Sequence, residues 1–291
     1  MNVLVNGRIL PIEEFHVSAV DRGVLLGDGI FETVRLYNRV PFRLGDHLRR
    51  LRQGARQIFI RGIPEGRTIR SWSNRLIRQN RIRHGVLRIT LTRGNGGRGL
   101  LIDPTFVPNL FITCSPYTPE LESHYRKGKR LITVPIRRNT ASPISSLKTL
   151  NMLDSILARE MAKKKRADES LFLNTEGRVS CGASSNIFWI KKRELYTPST
   201  RCGILQGITR KIVLETAKKM GIPTQEGEFS LEEIKDADEV FCTNSLIEIF
   251  PVTRLDKSRF GDNTGPITYR LRRAYKKLVR EETGRGSAKP W

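Results

Sequence analysis

The chain has 291 residues, 38% of them hydrophobic, enough for a sizeable core and at the length where one domain usually splits into two. Its four cysteines, Cys114, Cys181, Cys202 and Cys242, form no Cys-x-x-Cys pair and no metal spacing with histidine, so neither a disulfide framework nor a zinc site is suggested. No window approaches the ~20 apolar residues of a membrane span, so the reading is a soluble, unexported, cytoplasmic protein with reduced thiols and no membrane partner.

In chain order, Val3 and Val5 lead into Asn6-Gly7 and Ile9 resumes beyond, which predicts a hairpin. Leu48, Leu51, Ala55 and Ile58 then recur at helical spacing, with Arg49, Arg50 and Arg52 around the other sides. A second helix is predicted near Ile69 to Ile82, followed by strands over Val86 to Thr92 and Leu110 to Cys114. The double-proline segment Ser115 to Pro119 marks a domain boundary. Beyond it come a strand at Leu131 to Ile136, an apolar-faced helix carrying Met152, Ile156, Leu157 and Met161, and strands at Leu171 to Leu173 and Ile187 to Ile190. Gly207 opens a helix with Ile208, Ile212, Val213 and Ala217 on one side. Glu239 to Thr243 reads as a buried strand, and a basic helix covers about Thr268 to Glu281.

Three features suit a bound phosphate: Gly207-Ile208-Thr209 at a helix start, Thr243-Asn244-Ser245 at a strand end, and the arginines around Arg50. A helix N-terminus offers unbonded N–H groups and partial positive charge, which hydroxyls and a guanidinium complete. Taken singly, each also reads as an ordinary cap, turn or solvated arginine. Lys148 follows Ser145-Ser146-Leu147 and precedes the apolar-faced helix. Apolar surroundings would leave its amine partly neutral and nucleophilic, although local context alone also fits a surface lysine.

Several separated segments together resemble the class IV aminotransferases, a pyridoxal-phosphate family of branched-chain and D-amino-acid aminotransferases and 4-amino-4-deoxychorismate lyases. They are Asp21-Arg22-Gly23 with Gly27 to Arg35, His47-Leu48-Arg49-Arg50-Leu51, Leu147 to Asn151, Gly182 to Phe188, Gly203 to Arg210, Asp238 to Phe241 with Thr243 to Ser245, and Glu248 to Pro251. The resemblance implies an α/β (α+β) fold with a smaller N-terminal α/β domain over 1–117 and a larger C-terminal cofactor-binding domain over 118–291. It also implies pyridoxal 5'-phosphate in the interdomain cleft and a homodimer. Lys148 would be the Schiff-base lysine and the base that moves the substrate's α-proton. Arg50, Ile208, Thr209 and Ser245 would bind the cofactor phosphate, Leu205 would pack on the pyridine ring, and Asn244 joins the cofactor-binding set. One position departs from the pattern: Cys181 stands where the family has a glutamate paired with the pyridine nitrogen, which weakens the electron sink. The nearby Glu176 sits at a turn and is not a replacement.

Within the family, Thr33 and the loop Arg93 to Gly99 resemble the lyases, which implies a catalytic Thr33 supporting proton transfer. Phe31 and Arg98 would meet a small-molecule amino substrate, with Arg98 on its carboxylate. The D-amino-acid enzymes place a histidine where this chain has Leu100. The implied activity is elimination of pyruvate from aminodeoxychorismate, with D-amino-acid or branched-chain transamination as the alternative. The formal charge of +23 attracts phosphates and nucleic acid by itself, and motivates a remote alternative, a nucleic-acid-binding protein on an inactive scaffold. Its even spread and the lack of a motif with interleaved aromatics point instead to a generally basic surface without specific nucleic-acid binding.

Overall fold

The first hairpin forms because Asn6 and Gly7 take positive φ (46° and 90°), the geometry a two-residue connection requires. It pairs β1 (Asn2–Val5) with β2 (Arg8–Pro11). The computed structural model describes residues 1–96, 99–261 and 264–284, and divides into two compact units. Unit 1 holds Met1–Thr118, Leu147–Asn151 and the segment from Glu281; unit 2 holds Pro119–Ser146 and Met152–Arg280.

After α1 (Arg22–Leu26), unit 1 continues with β3 (Gly29–Tyr37), β4 (Val40–Pro41), the helices α2 (Leu44–Gln57) and α3 (Gly66–Gln79), then β5 (Gly85–Thr92) and β6 (Asn109–Pro116). The sheet order is β2-β1-β6-β5-β3-β4, antiparallel throughout. Alternation puts Ile30, Val34 and Leu36 of β3 on one face, in a core shared with Leu44, Leu48, Leu51 and Ala55 of α2 and Ile69, Leu76 and Ile77 of α3. Phe31, Thr33 and Arg35 occupy the opposite face. α3 ends three residues short of the predicted Ile82 because Arg81 turns to φ 53°. β4 pairs only with the far end of β3, and the segment Leu147–Asn151 takes the outer edge at its start. There Phe31 N donates to Lys148 O, and Leu150 N to Gly29 O, each at 2.9 Å.

Unit 2 contains α4 (Glu122–Lys127), β7 (Lys129–Arg138), α5 (Leu153–Lys164), β8 (Glu169–Asn174), β9 (Val179–Gly182), β10 (Asn186–Lys191), β11 (Glu194–Pro198), α6 (Ile208–Lys219), β12 (Thr224–Gly227), α7 (Leu231–Lys235), β13 (Glu239–Asn244), β14 (Glu248–Leu255) and β15 (Ser258–Arg259). α8 (Pro266–Thr283) closes the described chain. The sheet order is β12-β11-β10-β13-β14-β7-β8-β9, with β15 on β14. β7 is parallel to both its neighbours. α5 buries Ser155, Ala158 and Ala162, and leaves Leu153, Ile156 and Leu157 exposed. Of the apolar face read from the sequence, Met161 packs against the core while Ile156 and Leu157 do not: close approach to a sheet favours the small residues. Among the described residues, no helix is long and apolar enough to cross a membrane.

Candidate active site

Glu32 has the same phase along β3 as Ile30 and Val34, so the strand carries a carboxylate into an apolar layer, where it must be fully bonded. α2 supplies the partners. His47 and Arg50, three residues apart, share a helix face. Arg50 donates from Nε and Nη2 to Glu32 at 2.8 and 2.7 Å, and His47 Nδ1 lies 2.7 Å from Oε2. Burial works to raise the Glu32 pKa, but Arg50 and then His47 outweigh it and hold the carboxyl at about 2. Burial pushes the His47 imidazole down, with only Glu32 opposing, so the ring is neutral at pH 7 and Nδ1–H donates to the carboxylate.

Lys148 stands at the edge of this cluster, half-buried, with Nζ 4.4 Å from the centroid of the Phe31 ring. Enclosure pushes its amine down to about 8; Glu32 opposes the fall, and Arg50 and Arg88 add to it. A lysine so placed divides its population between ammonium and free amine near neutral pH. The Arg88 guanidinium stacks on the same Phe31 ring at 3.8 Å, and Arg88 pairs across the ladder with Thr33. The structure thus gathers Lys148, Phe31, Thr33 and Arg88, and links Arg50 to them through Glu32. Arg98 lies outside the described residues.

In unit 2, α6 begins at Ile208 with Gly207 as an N-cap that offers no side-chain hydrogen bond. A Cβ on Gly207 would stand 2.1 Å from Asn186 Oδ1, so only glycine fits there. Asn186 Nδ2 donates to Leu205 O at 2.9 Å and fixes the turn before the helix. Ile208 and Thr209 are buried in the first turn. Asn244, at the end of β13, spends its side chain on the turn itself: Nδ2 donates to Ser184 O, and Oδ1 accepts from Leu246 N and Ile247 N. Ser245 follows in that turn, half-buried, and the neighbouring Thr243 Oγ1 is buried without a hydrogen-bond partner. Cys181 is buried in an apolar cluster with Phe172, Ala183, Cys202 and Ile204, and its thiol accepts from Ser180 Oγ at 3.7 Å. Leu205 is half-buried beside Ile204, and Glu176 sits on an exposed turn.

Sequence reasoning gave no role to Glu32, His47 or Arg88. The signal for Glu32 was available, since a carboxylate in the interior phase of an apolar strand needs a cation. Arg88 had no such signal, because its place depends on the cross-strand register with Thr33.

The description "Amino-transferase class IV" belongs to the family model that matches residues 29–255. The chain belongs to the class IV aminotransferases. It is 33% identical to the aminodeoxychorismate lyase of Bacillus subtilis (strain 168), over 99% of this chain and 98% of that protein. It is 35% identical to the D-alanine aminotransferase of Listeria innocua, over 93% of each. The branched-chain amino acid aminotransferase of Escherichia coli superposes with a TM-score of 0.92 at 26% identity, covering 99% of this chain and 97% of that one. This class IV chain is accordingly a pyridoxal-phosphate-dependent enzyme of mixed α/β fold. Its residues fit that cofactor. Unit 1 offers a lysine amine lowered to about 8, and unit 2 a helix start with no side-chain cap, beside an unpartnered hydroxyl.

Proposed function

We propose that this enzyme is a 4-amino-4-deoxychorismate lyase, forming 4-aminobenzoate and pyruvate. The observation that carries the reading is the hydroxyl-bearing Thr33, on the β3 face of Phe31 and opposite Arg88, with the Lys148 amine over the same aromatic ring. Similarity to the Bacillus subtilis lyase over nearly the whole chain supports it.

Lys148 would hold the cofactor, with Arg50, Ile208, Thr209 and Ser245 around its phosphate, Leu205 against its ring, Asn244 shaping the turn, and Cys181 at its nitrogen. Pyridoxal phosphate, when bound, supplies an electron sink that acidifies the proton on the amine-bearing carbon. Lys148, near neutrality, takes that proton from the substrate ring. Thr33 would relay it toward the departing enolpyruvyl oxygen. The ring C–H and the ring C–O bonds break, the ring becomes aromatic, and the released enol becomes pyruvate with the proton on its methyl carbon. Phe31 gives the substrate a flat apolar surface, and Arg88 suits a substrate carboxylate. Aromatisation also lets the reaction run with Cys181 in place of a carboxylate, since the stable product offsets part of the weaker electron sink.

The working form in this reading is a cytoplasmic homodimer. The exposed Leu153, Ile156 and Leu157 of α5 support cover by a second copy. A second reading, D-amino-acid transamination, is favoured by the 35% identity to the Listeria innocua D-alanine aminotransferase. Purified enzyme given aminodeoxychorismate and no 2-oxo acid should release pyruvate in step with 4-aminobenzoate. Turnover that appears only when 2-oxoglutarate is added would overturn the lyase reading and support the second.

A further inference from the structure

β7, β14 and β15 lie side by side in unit 2, and their register sets Arg130 opposite Arg254 and Arg254 opposite Arg259. Like charges directly opposite on neighbouring strands destabilise a sheet. Sequence alternation does not demand this row, because only the register brings the three together. No side-chain hydrogen bond or ion pair joins any of them to another described residue. Arg254 is half-buried, and its Nε is buried without a partner. The nearby Asp256 is engaged elsewhere, accepting from Thr133 N and Oγ1 at 2.9 and 2.7 Å.

Two of these arginines, Arg254 and Arg259, line a cavity of about 290 Å³ together with Lys127, Thr253 and Gly261. Thr253 Oγ1 donates to Lys127 O at 3.2 Å, which draws the end of α4, and with it a further ammonium, against the strand. Gly261, at φ 81°, completes the described lining. Three basic residues thus line one space with no acidic residue among its described lining, and guanidinium and ammonium N–H groups are donors only.

We propose that this cavity binds a phosphate group, either inorganic phosphate or the head of a small phosphomonoester. A tetrahedral dianion accepts from several donors at once, and turns the repulsion across β14 and β15 into a shared charge-assisted network. Lys127 and the exposed Arg259 and Arg130 supply the remaining charge from the rim. The site belongs to unit 2 alone, and is separate from the phosphate cradle at the start of α6.

The test uses holoenzyme saturated with pyridoxal phosphate, so that the cofactor's own phosphate site is filled. Melting is followed in inorganic phosphate, in glycerol 3-phosphate and in chloride of equal ionic strength. A saturating rise of about 5 °C is expected at a hundredfold excess over Kd. A stronger response to glycerol 3-phosphate would identify an ester, and an equal one the phosphate group alone. Arg254→Gln and Arg259→Gln should each abolish the rise and also lift the melting point in chloride by about 1 °C, because a repulsion is relieved. The bound cofactor's visible absorption should not change. Lys127→Gln, at an exposed helix end, should weaken phosphate binding about tenfold, and keeps the test open if an arginine variant fails to fold. No saturable rise in the unmodified enzyme, or a rise that survives in all three variants, overturns the proposal.

Discussion

The polar groups of units 1 and 2 are arranged by opposite physical means. Around Lys148, charged side chains act on one another: Glu32 is held ionised by Arg50 and His47, and the lysine's protonation reflects Glu32 on one side and enclosure with Arg50 and Arg88 on the other. Around α6 the groups suited to an anion are backbone N–H groups at an uncapped helix start, and the side chains of Asn186 and Asn244 serve to fix turns. Cys181 sits among apolar neighbours. Such a division separates two properties that often change together. Substitutions around Glu32 should move the pH dependence of proton transfer, whereas those at the start of α6 should leave that pH dependence in place and move cofactor retention.

The largest effect should come from Lys148→Ala. Loss of kcat by at least ~10³-fold is expected, with no borohydride-fixed cofactor mass on the peptide that contains position 148. Retention of that mass in the variant would place the attachment elsewhere and dissolve the contrast between the units.

Glu32→Gln should come next. It leaves the partly buried Arg50 without its carboxylate and costs about 3–5 kcal/mol, read by denaturant unfolding. Glu32 raises the Lys148 pKa, so its removal should lower that value below about 8 and shift the acid limb of the kcat profile to lower pH. The carboxyl's folded pKa of about 2 lies below the ordinary 4.5. Its stabilisation is therefore present above pH 4.5 and lost as pH falls toward 2, and the variant should lack that acid-induced loss. An unmoved acid limb would show that Glu32 acts only as structure.

Cys181→Glu should have the smallest effect on the protein and the most selective effect on chemistry. A carboxyl among Phe172, Ala183 and Ile204 should cost the cofactor-free protein about 1–3 kcal/mol, and loading with pyridoxal phosphate should recover most of it. Transaminase side activity should rise more than lyase activity. An equal or opposite change would count against the role assigned to Cys181.

Much of this architecture was legible from local signals. Asn6-Gly7, the apolar runs of β5 and β6 and the Gly207 helix start are each written within a few residues, and each forms as read. What escaped depends on partners distant in the chain. Arg88 reaches Phe31 only through the β3–β5 register, and the Arg130–Arg254–Arg259 row exists only across three strands. α5 misled for a different reason: its larger apolar residues draw the eye, but closeness to the sheet selects Ser155, Ala158 and Ala162. Lys148 looks like a surface lysine in its own sequence neighbourhood. Only the family motifs singled it out, and enclosure beside Phe31, with Arg50 and Arg88, supplies the physical cause.

Unit 1 is discontinuous, since its β3 edge is completed by Leu147–Asn151 after the chain has begun unit 2. Closing so long a loop carries an entropic cost and a slow, non-local contact. During synthesis the N-terminal sheet and its two helices can collapse first, since domains generally fold in order of emergence. The lysine strand docks onto a surface already made. The N-terminal sheet can thus exist before its reactive amine arrives, and the segment from Glu281 joins the unit later still.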